Sequence, residues 1–247
     1  MRLRIIGTGS TGNCYLLMAA TGKSLMLDAG IPLRKAIPHL NGLVGLEGCL
    51  ITHEHNDHSA AAKDISMRGI NVYASQGTYE HIAPHILLNR LKPVVAGRME
   101  LAGEFAILPF DTQHDAAEPL GFLVKHRPTG ETLLYATDTY YLKNTFPGVH
   151  YWVVECNYDE EITDRMFFEG NDVQLQRRLM QSHMSLRRLK DTLAANDLTK
   201  TRKIVLVHLS DTRSNEARMV SEIQKQTGVE TVAARAGETI ELNRAPF

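Results

Sequence analysis

The pattern HxHxDH from His53 to His58 places three imidazoles and the carboxylate of Asp57 within six residues. Imidazole nitrogens and carboxylate oxygens are the ligands that zinc and similar divalent ions take in proteins. His53 and His55 are two residues apart and could share one ion. Asp57 and His58 are adjacent, so their side chains point elsewhere and would serve a second ion. This stretch therefore predicts a metal site.

The segments on either side predict how these ligands are held. The apolar run Gly48–Ile51 is typical of a buried strand, and the run Ser59–Met67 favours a helix. The candidate ligands would then lie on a strand-to-helix loop, where a rigid scaffold can aim several side chains at one point.

Other predicted strands also end in, or lead to, an aspartate or a histidine. The segments beginning at Ser24 and Thr132 run into Asp28 and Asp138, and the segment beginning at Ile204 runs into His208. The strand Phe105–Phe110 leads to a loop that contains His114. A strand over Tyr151–Asp159 has a polar end.

The glycine-rich segment Gly7–Asn13 contains GxGxxG, so a dinucleotide-binding loop has to be considered. That motif requires a helix to begin at its last glycine. The next residues, Cys14–Met18, have the pattern of a strand instead. We therefore interpret the segment as a hairpin turn, whose backbone amides could still face an anionic substrate.

Composition narrows the class of protein. The chain has 247 residues, 43% of them hydrophobic, and a formal net charge of −1, which fits one sizeable domain or two small ones and favours no charged partner. It begins without the pattern of a signal peptide and has no apolar run long enough to span a bilayer, so no membrane partner is expected. Its cysteines, Cys14, Cys49 and Cys156, suggest reduced buried thiols and a cytoplasmic location.

HxHxDH after a strand resembles the signature of the metallo-β-lactamase fold superfamily. The resemblance implies an α/β (α+β) fold, a single four-layer αββα sandwich over residues 1–247 with a dinuclear metal site at the sheet edge. The segments GTGSTGNCYLL, HDAAEPLGF, ECNY and SHMS are similar to those of the YycJ/WalJ-type branch, whose members are regarded as nucleases.

The resemblance also implies the ligands. One ion would be held by His53, His55, His114 and Asp138, and the other by Asp57, His58, Asp138 and His208. Asp28 would orient a histidine ligand. With two ions about 3.5–4 Å apart, a bridging water becomes hydroxide near neutral pH, and Asp57 and Asp138 take part in catalysis. Zinc is the expected metal, with manganese or iron as alternatives.

Two features favour a phosphodiester substrate, the motifs that resemble the YycJ/WalJ-type branch and a basic segment. Between Gln174 and Lys203 there are eight Lys/Arg and two Asp, and such a concentration would attract a nucleic-acid backbone. Arg187 and Arg188 are our candidates for substrate binding, on a helix for which Ser185 is the predicted N-cap. His183 is the candidate general acid or phosphate ligand that the branch implies. The branch usually continues Leu-Ser-Asn after this histidine, whereas here Met184 follows.

Three functions stay open at this point. We favour a two-metal phosphodiesterase or nuclease acting on nucleic acid. The alternative is a small-molecule hydrolase of the glyoxalase II type, acting on a thioester or cyclic phosphate. A metal-binding or redox module is the third. The sequence does not indicate DNA or RNA, the direction of cleavage or the oligomeric state.

Overall fold

The computed structural model describes residues 1–40, 43–82, 84, 86–168 and 180–242, and two seven-stranded sheets dominate it. The first sheet contains β1 (Arg2–Gly7), β2 (Cys14–Met18), β3 (Ser24–Leu27), β4 (Leu46–Leu50), β5 (Val72–Ala74), β6 (Leu91–Pro93) and β14 (Thr239–Glu241). Their spatial order is β14-β1-β2-β3-β4-β5-β6. β1 and β2 pair antiparallel, so the glycine-rich segment joins two strands of a hairpin, as predicted.

The second sheet follows the same plan. It contains β7 (Glu100–Ala102), β8 (Phe105–Asp111), β9 (Leu120–His126), β10 (Thr132–Ala136), β11 (Tyr151–Glu155), β12 (Lys203–Val207) and β13 (Glu230–Ala233). Their order is β13-β12-β11-β10-β9-β8-β7. Each sheet is mixed. β1 pairs antiparallel with β2 and β9 with β10, whereas β3 pairs parallel with β4 and β10 with β11.

Helices cover the outer face of each sheet. On the first sheet lie α1 (Leu33–Ala36), α2 (Asn56–Ser59), α3 (Ala62–Met67) and α4 (Gln76–Ile82). On the second lie α5 (Glu160–Phe168), α6 (Leu186–Ala194) and α7 (Glu216–Thr227). Alternation along the strands builds this arrangement: Tyr15 and Leu17 belong to the core between the sheets, and Cys14 and Leu16 pack under the helices. The four-layer αββα sandwich is confirmed.

Two predicted helices are shorter than expected. The helix predicted over Ser59–Met67 is interrupted, because α2 ends at Ser59 and α3 begins at Ala62. The sequence from Gln76 to Leu88 also has the pattern of a helix, and in the structure this helix, α4, ends at Ile82. Pro84 stands two residues beyond Ile82, and proline cannot supply the backbone N–H that would continue the helix.

Two expectations from composition concern cysteines and membranes. All three cysteines are free and buried, and burial raises the pKa of the Cys49 thiol well above its usual range. None of the helices in the described ranges combines the length and apolarity that a bilayer span requires.

Candidate metal centre

The candidate ligands meet because the strands that carry them are parallel. β3 pairs parallel with β4, and β10, β11 and β12 pair parallel in register. Parallel neighbours place their carboxyl ends at the same edge of a sheet. Asp28, His53, Asp138 and His208 each follow one of these strands within three residues, and Glu155 ends β11. One edge of the sandwich therefore collects all five side chains.

Three of these strand ends have unusual backbone conformations. Asp28, Asp138 and His208 have φ angles of 54°, 49° and 55°, and Leu43 is the other described non-glycine residue with positive φ. This region is disfavoured for residues with a Cβ, and such strain concentrates at functional sites. The turn redirects each side chain from the strand toward the centre of the cluster.

Three imidazoles form the first donor group. The Nε2 atom of His53 lies 3.0 Å from His55 Nδ1, and His114 Nε2 lies 3.3 Å from the same atom. Asp138 Oδ2 is 3.8 Å from His53 Nε2 and 3.7 Å from His114 Nε2. The four side chains predicted for the first ion are therefore close together.

The second predicted set is close as well, with one residue at its margin. His58 Nε2 lies 3.1 Å from Asp138 Oδ2 and 3.5 Å from Asp57 Oδ2. His208 Nδ1 forms a very short contact with Asp138 Oδ1. Donor atoms of His53, His58 and Asp138 all lie within 4.8 Å of one another, whereas Asp57 joins none of the groups that meet this criterion among the described residues.

A third group adds a residue to which the sequence analysis gave no role. Glu155, fully buried, lies 2.7 Å from His183 Nδ1 and 3.2 Å from His208 Nδ1 through its Oε1 atom. Its Oε2 atom accepts hydrogen bonds from the backbone N–H groups of Thr139 and Met184. Glu155 thus fixes His183 beside the cluster. Glu155 shares with Asp138 the pattern of an acid at the end of a buried strand.

Charges within the cluster balance each other in the absence of an ion. Burial opposes ionisation of Asp138, but His208 and His58 outweigh it and hold the pKa of this carboxyl well below its usual range. Burial lowers the pKa values of His53 and His114, which keeps these imidazoles neutral. Burial would also lower the pKa of His208, but the carboxylates of Asp138 and Glu155 raise it to about 10.

This donor set fits divalent metal ions. Neutral imidazoles and ionised carboxylates are the protonation states that ligate metals, and binding displaces protons that otherwise balance the acids. Two ring nitrogens, His53 Nε2 and His114 Nε2, lie within 3.3 Å of His55 Nδ1. One shared cation satisfies such an arrangement better than hydrogen bonds among imidazoles do.

Asp28 lies behind the candidate ligand His58 and fixes its orientation. Its buried carboxylate accepts hydrogen bonds from the Thr52 N–H at 2.8 Å, the Tyr135 hydroxyl at 2.6 Å and His58 Nδ1 at 2.8 Å. The bond to Nδ1 leaves His58 Nε2 facing the cluster, which is the orienting role predicted for Asp28.

Replacing Asp28 with asparagine is expected to lower the free energy of unfolding by about 2–4 kcal/mol, because an amide turns its NH₂ group toward one of three buried donors. Zinc affinity should fall about 10- to 100-fold. Asparagine tolerates positive φ, so the backbone is not the cause. Urea denaturation and metal titration measure both effects, with the exposed Asp64→Asn as control. A change in unfolding free energy as small as that of the control would contradict the orienting role.

Several positive charges of the segment from Gln174 to Lys203 are paired with acids in the folded structure. Its Arg177 and Arg178 lie outside the described residues. Three of its other charges face acids from distant parts of the chain, in the pairs Arg187–Glu160, Lys190–Glu222 and Lys203–Glu230. These pairs offset much of the local excess of positive charge.

The two proposed substrate-binding arginines lie on α6, whose N-cap is Ser185 as predicted. Arg187 is exposed and its Nε lies 3.4 Å from Glu160 Oε1. Arg188 donates to the carbonyl oxygens of Tyr140 and Met180, and its guanidinium lies 5.1 Å from the centre of the Tyr140 ring. Arg188 therefore joins three segments beside the cluster, and substrate binding by either arginine stays a prediction.

Asn13 is a second residue that the sequence analysis did not assign. Its buried side-chain Nδ2 lies 3.0 Å from His58 Nε2, and its Oδ1 accepts hydrogen bonds from the Gly9 N–H and the Tyr15 hydroxyl. Gly30 permits this contact, because a Cβ there would lie 1.7 Å from the Asp57 carbonyl oxygen. Asn13 thereby connects the glycine-rich loop to the loop that carries HxHxDH.

Comparison with known proteins agrees with this geometry. Residues 24–209 match the family model described as a beta-lactamase superfamily domain. The chain is 28% identical over 248 residues to exodeoxyribonuclease YycJ of Bacillus anthracis, covering 92% of this chain and 90% of that protein. It is 25% identical to exodeoxyribonuclease WalJ of Streptococcus pneumoniae over 83% of this chain and 80% of that one.

A solved structure shows the same fold. The metallo-β-lactamase fold protein YhfI of Bacillus subtilis superposes with a TM-score of 0.74 at 17% identity, covering 96% of this chain and 98% of that one. This fold implies binding of divalent metal, which the histidine and aspartate groups at the sheet edge are suited to provide. The chain belongs to the beta-lactamase superfamily and has the metallo-β-lactamase fold.

Proposed function

We propose that this protein is a two-metal phosphodiesterase that cleaves nucleic acid. The observation that carries the proposal is the shared position of Asp138, which lies in one donor group with His53 and His58 and in another with His208. A single carboxylate between two sets of histidines suits two neighbouring ions. The two exodeoxyribonuclease relatives support nucleic acid as the substrate class.

Under this proposal the ligands divide as the sequence suggested. His53, His55 and His114 hold one ion, His58, Asp57 and His208 hold the other, and Asp138 contributes to both. When bound, such ions act as Lewis acids toward a phosphoryl group and activate water for attack. Zinc is the expected metal, with manganese and iron as alternatives.

His183 supplies what the ligands do not. Its Nδ1 atom is engaged by Glu155 at 2.7 Å, so its Nε2 is the nitrogen free to meet substrate. Burial opposes protonation, but the Glu155 carboxylate outweighs it and raises the pKa of His183. A protonated imidazole held in place can donate a proton to the leaving oxygen of the cleaved ester.

A substrate panel tests the reaction class. Zinc- and manganese-loaded protein should hydrolyse bis(p-nitrophenyl) phosphate, and the thioester S-lactoylglutathione should be turned over poorly or not at all. Efficient thioester hydrolysis without phosphodiester hydrolysis would replace this proposal with the glyoxalase II type of function.

Removing the metal should destabilise the fold. A ligand present at a thousandfold excess over its Kd stabilises the native state by about 4 kcal/mol. For a domain of this size that corresponds to about 8–16 °C in Tm. Differential scanning calorimetry before and after dialysis against a chelator measures the shift, and restored zinc should reverse it. An unchanged Tm after demonstrated loss of metal would contradict a buried metal centre.

A further inference from the structure

A cavity of about 380 Å³ opens directly beside the metal centre. Two loops form most of its wall. One is the turn between β1 and β2, from Thr8 to Thr11, and the other follows β12, from His208 to Arg213. His183 and His208 line the cavity as well, so a substrate group bound there would lie next to the reacting phosphodiester.

Arg213 is the notable residue in this wall. It is 8% exposed, although arginine is rarely buried without a partner. Within the described ranges its guanidinium makes no ion pair and no hydrogen bond. The arginines that do form ion pairs near this end of the chain are Arg218 and Arg235. The one acid of the cavity wall, Asp211, is exposed. A buried cation without an acid beside it favours an anionic ligand.

The opposite wall offers neutral donors. The backbone N–H groups of Ser10 and Thr11 make no hydrogen bond within the described part of the chain. The side chains of Ser10, Thr11 and Thr212 add hydroxyl groups on the exposed side. Free amides, hydroxyls and a guanidinium together are the donors that bind phosphate oxygens.

Hydrogen bonds hold this wall in place before any ligand binds. The His208 N–H donates to Thr8 Oγ1 at 3.0 Å, and Asn157 Nδ2 donates to the His208 carbonyl at 2.8 Å. The Ser210 N–H donates to the Asn157 carbonyl at 2.8 Å, and the Asp159 N–H donates to the Arg213 carbonyl at 2.9 Å. The loops of the cavity are therefore ordered before a ligand binds, so binding costs little conformational entropy.

We propose that this cavity binds a second phosphate of the substrate strand, adjacent to the phosphodiester that is cleaved, with Arg213 as its principal ligand. The inference rests on the proposed function, because it assigns the substrate strand of the same metal centre. A site of this kind would favour a polynucleotide, in which each phosphodiester has a phosphate neighbour, over an isolated phosphodiester. The guanidinium fixes that neighbour, and the metal ligands and His183 act on the cleaved bond.

The test compares two substrates in metal-loaded protein. Decathymidylate carries neighbouring phosphates, whereas bis(p-nitrophenyl) phosphate carries one. Arg213→Gln should raise KM for decathymidylate about tenfold or more and change kcat/KM for the small diester less than twofold. Arg213→Lys should be intermediate, because lysine keeps the charge without the bidentate geometry. The exposed Arg98→Gln, at a residue paired with Glu100, is the control. Equal losses on both substrates, or none, would overturn the inference.

Binding provides a readout that does not depend on catalysis. Fluorescence anisotropy of 3′-fluorescein decathymidylate, with the full chain in EDTA, should show about tenfold weaker binding for Arg213→Gln. Ser10→Asp adds a negative charge at an exposed position, so it should weaken binding even if Arg213→Gln fails to fold. The neutral Ser10→Asn keeps a hydrogen-bond donor in its side chain and should weaken binding much less than Ser10→Asp. If no nucleic acid is cleaved, the proposed function fails while these affinities still decide the pocket. Wild-type affinity in both Arg213→Gln and Ser10→Asp, or no binding by the wild type, would overturn the pocket.

Discussion

Replacing Asp138 with alanine is expected to reduce hydrolysis of bis(p-nitrophenyl) phosphate by at least about a thousandfold, well beyond the 10- to 100-fold typical of losing an outer hydrogen-bond partner. Asp138 is 3% exposed and faces four imidazoles, those of His53, His58, His114 and His208. Among the described side chains, Asp138 alone shares one candidate metal group with His58 and another with His208. Its loss should therefore affect both ions.

Metal analysis distinguishes this cause from misfolding. We expect Asp138→Ala to bind one equivalent of zinc or less where the wild type binds two, with its circular dichroism spectrum unchanged. Asp64→Asn, an exposed substitution on α3, should retain both activity and metal. A variant that keeps two ions and near-wild-type kcat would contradict the shared role of Asp138.

Replacing His183 with alanine should have the second-largest effect, and the effect should depend on the leaving group. General acid catalysis contributes about 10²- to 10⁴-fold, so kcat for an oligonucleotide, whose leaving group is an alkoxide, should fall by that factor. p-Nitrophenolate leaves without protonation, so kcat for bis(p-nitrophenyl) phosphate should fall less than tenfold. Initial rates at saturating substrate measure both.

The outcomes separate the two roles considered for His183. Equal losses on both substrates would favour a phosphate ligand over a general acid, and no loss on either would remove His183 from the reaction. His81→Ala serves as the control, because His81 is an exposed residue of α4 whose Nδ1 contacts the Gly77 carbonyl within the same helix.

The sequence was most informative where chemistry and strand ends coincide. His53 was predicted from the HxHxDH pattern, and the resemblance to the superfamily implied His114, Asp138 and His208. Each of these residues follows an apolar run, and the parallel pairing of β10, β11 and β12 brings such strand ends together. The same pattern marked Glu155, but an acid at a strand end is also a common turn former. Whether Glu155 contacts His183 depends on the distance in space between the end of β11 and the residues before α6. The spacing of these residues in the sequence does not predict that distance.

Other features depend on contacts between distant segments. The basic character of the segment from Gln174 to Lys203 is clear in one dimension, and its neutralisation by Glu160, Glu222 and Glu230 becomes visible only after folding. Likewise, Asn13 precedes His58 by 45 positions, and the contact between them requires Gly30 to admit the Asp57 backbone. Short edge strands such as β6 and β14, with three residues each, carry too little periodicity to be predicted.

The central claim, a two-metal nuclease, is tested most directly by cleavage of end-labelled single- and double-stranded DNA and RNA. Zinc- or manganese-loaded wild-type protein should degrade at least one of these substrates, the label should reveal the direction of cleavage, and Asp138→Ala in the same preparation should not cleave. Survival of every nucleic acid in the presence of protein shown to hold two ions would contradict the claim.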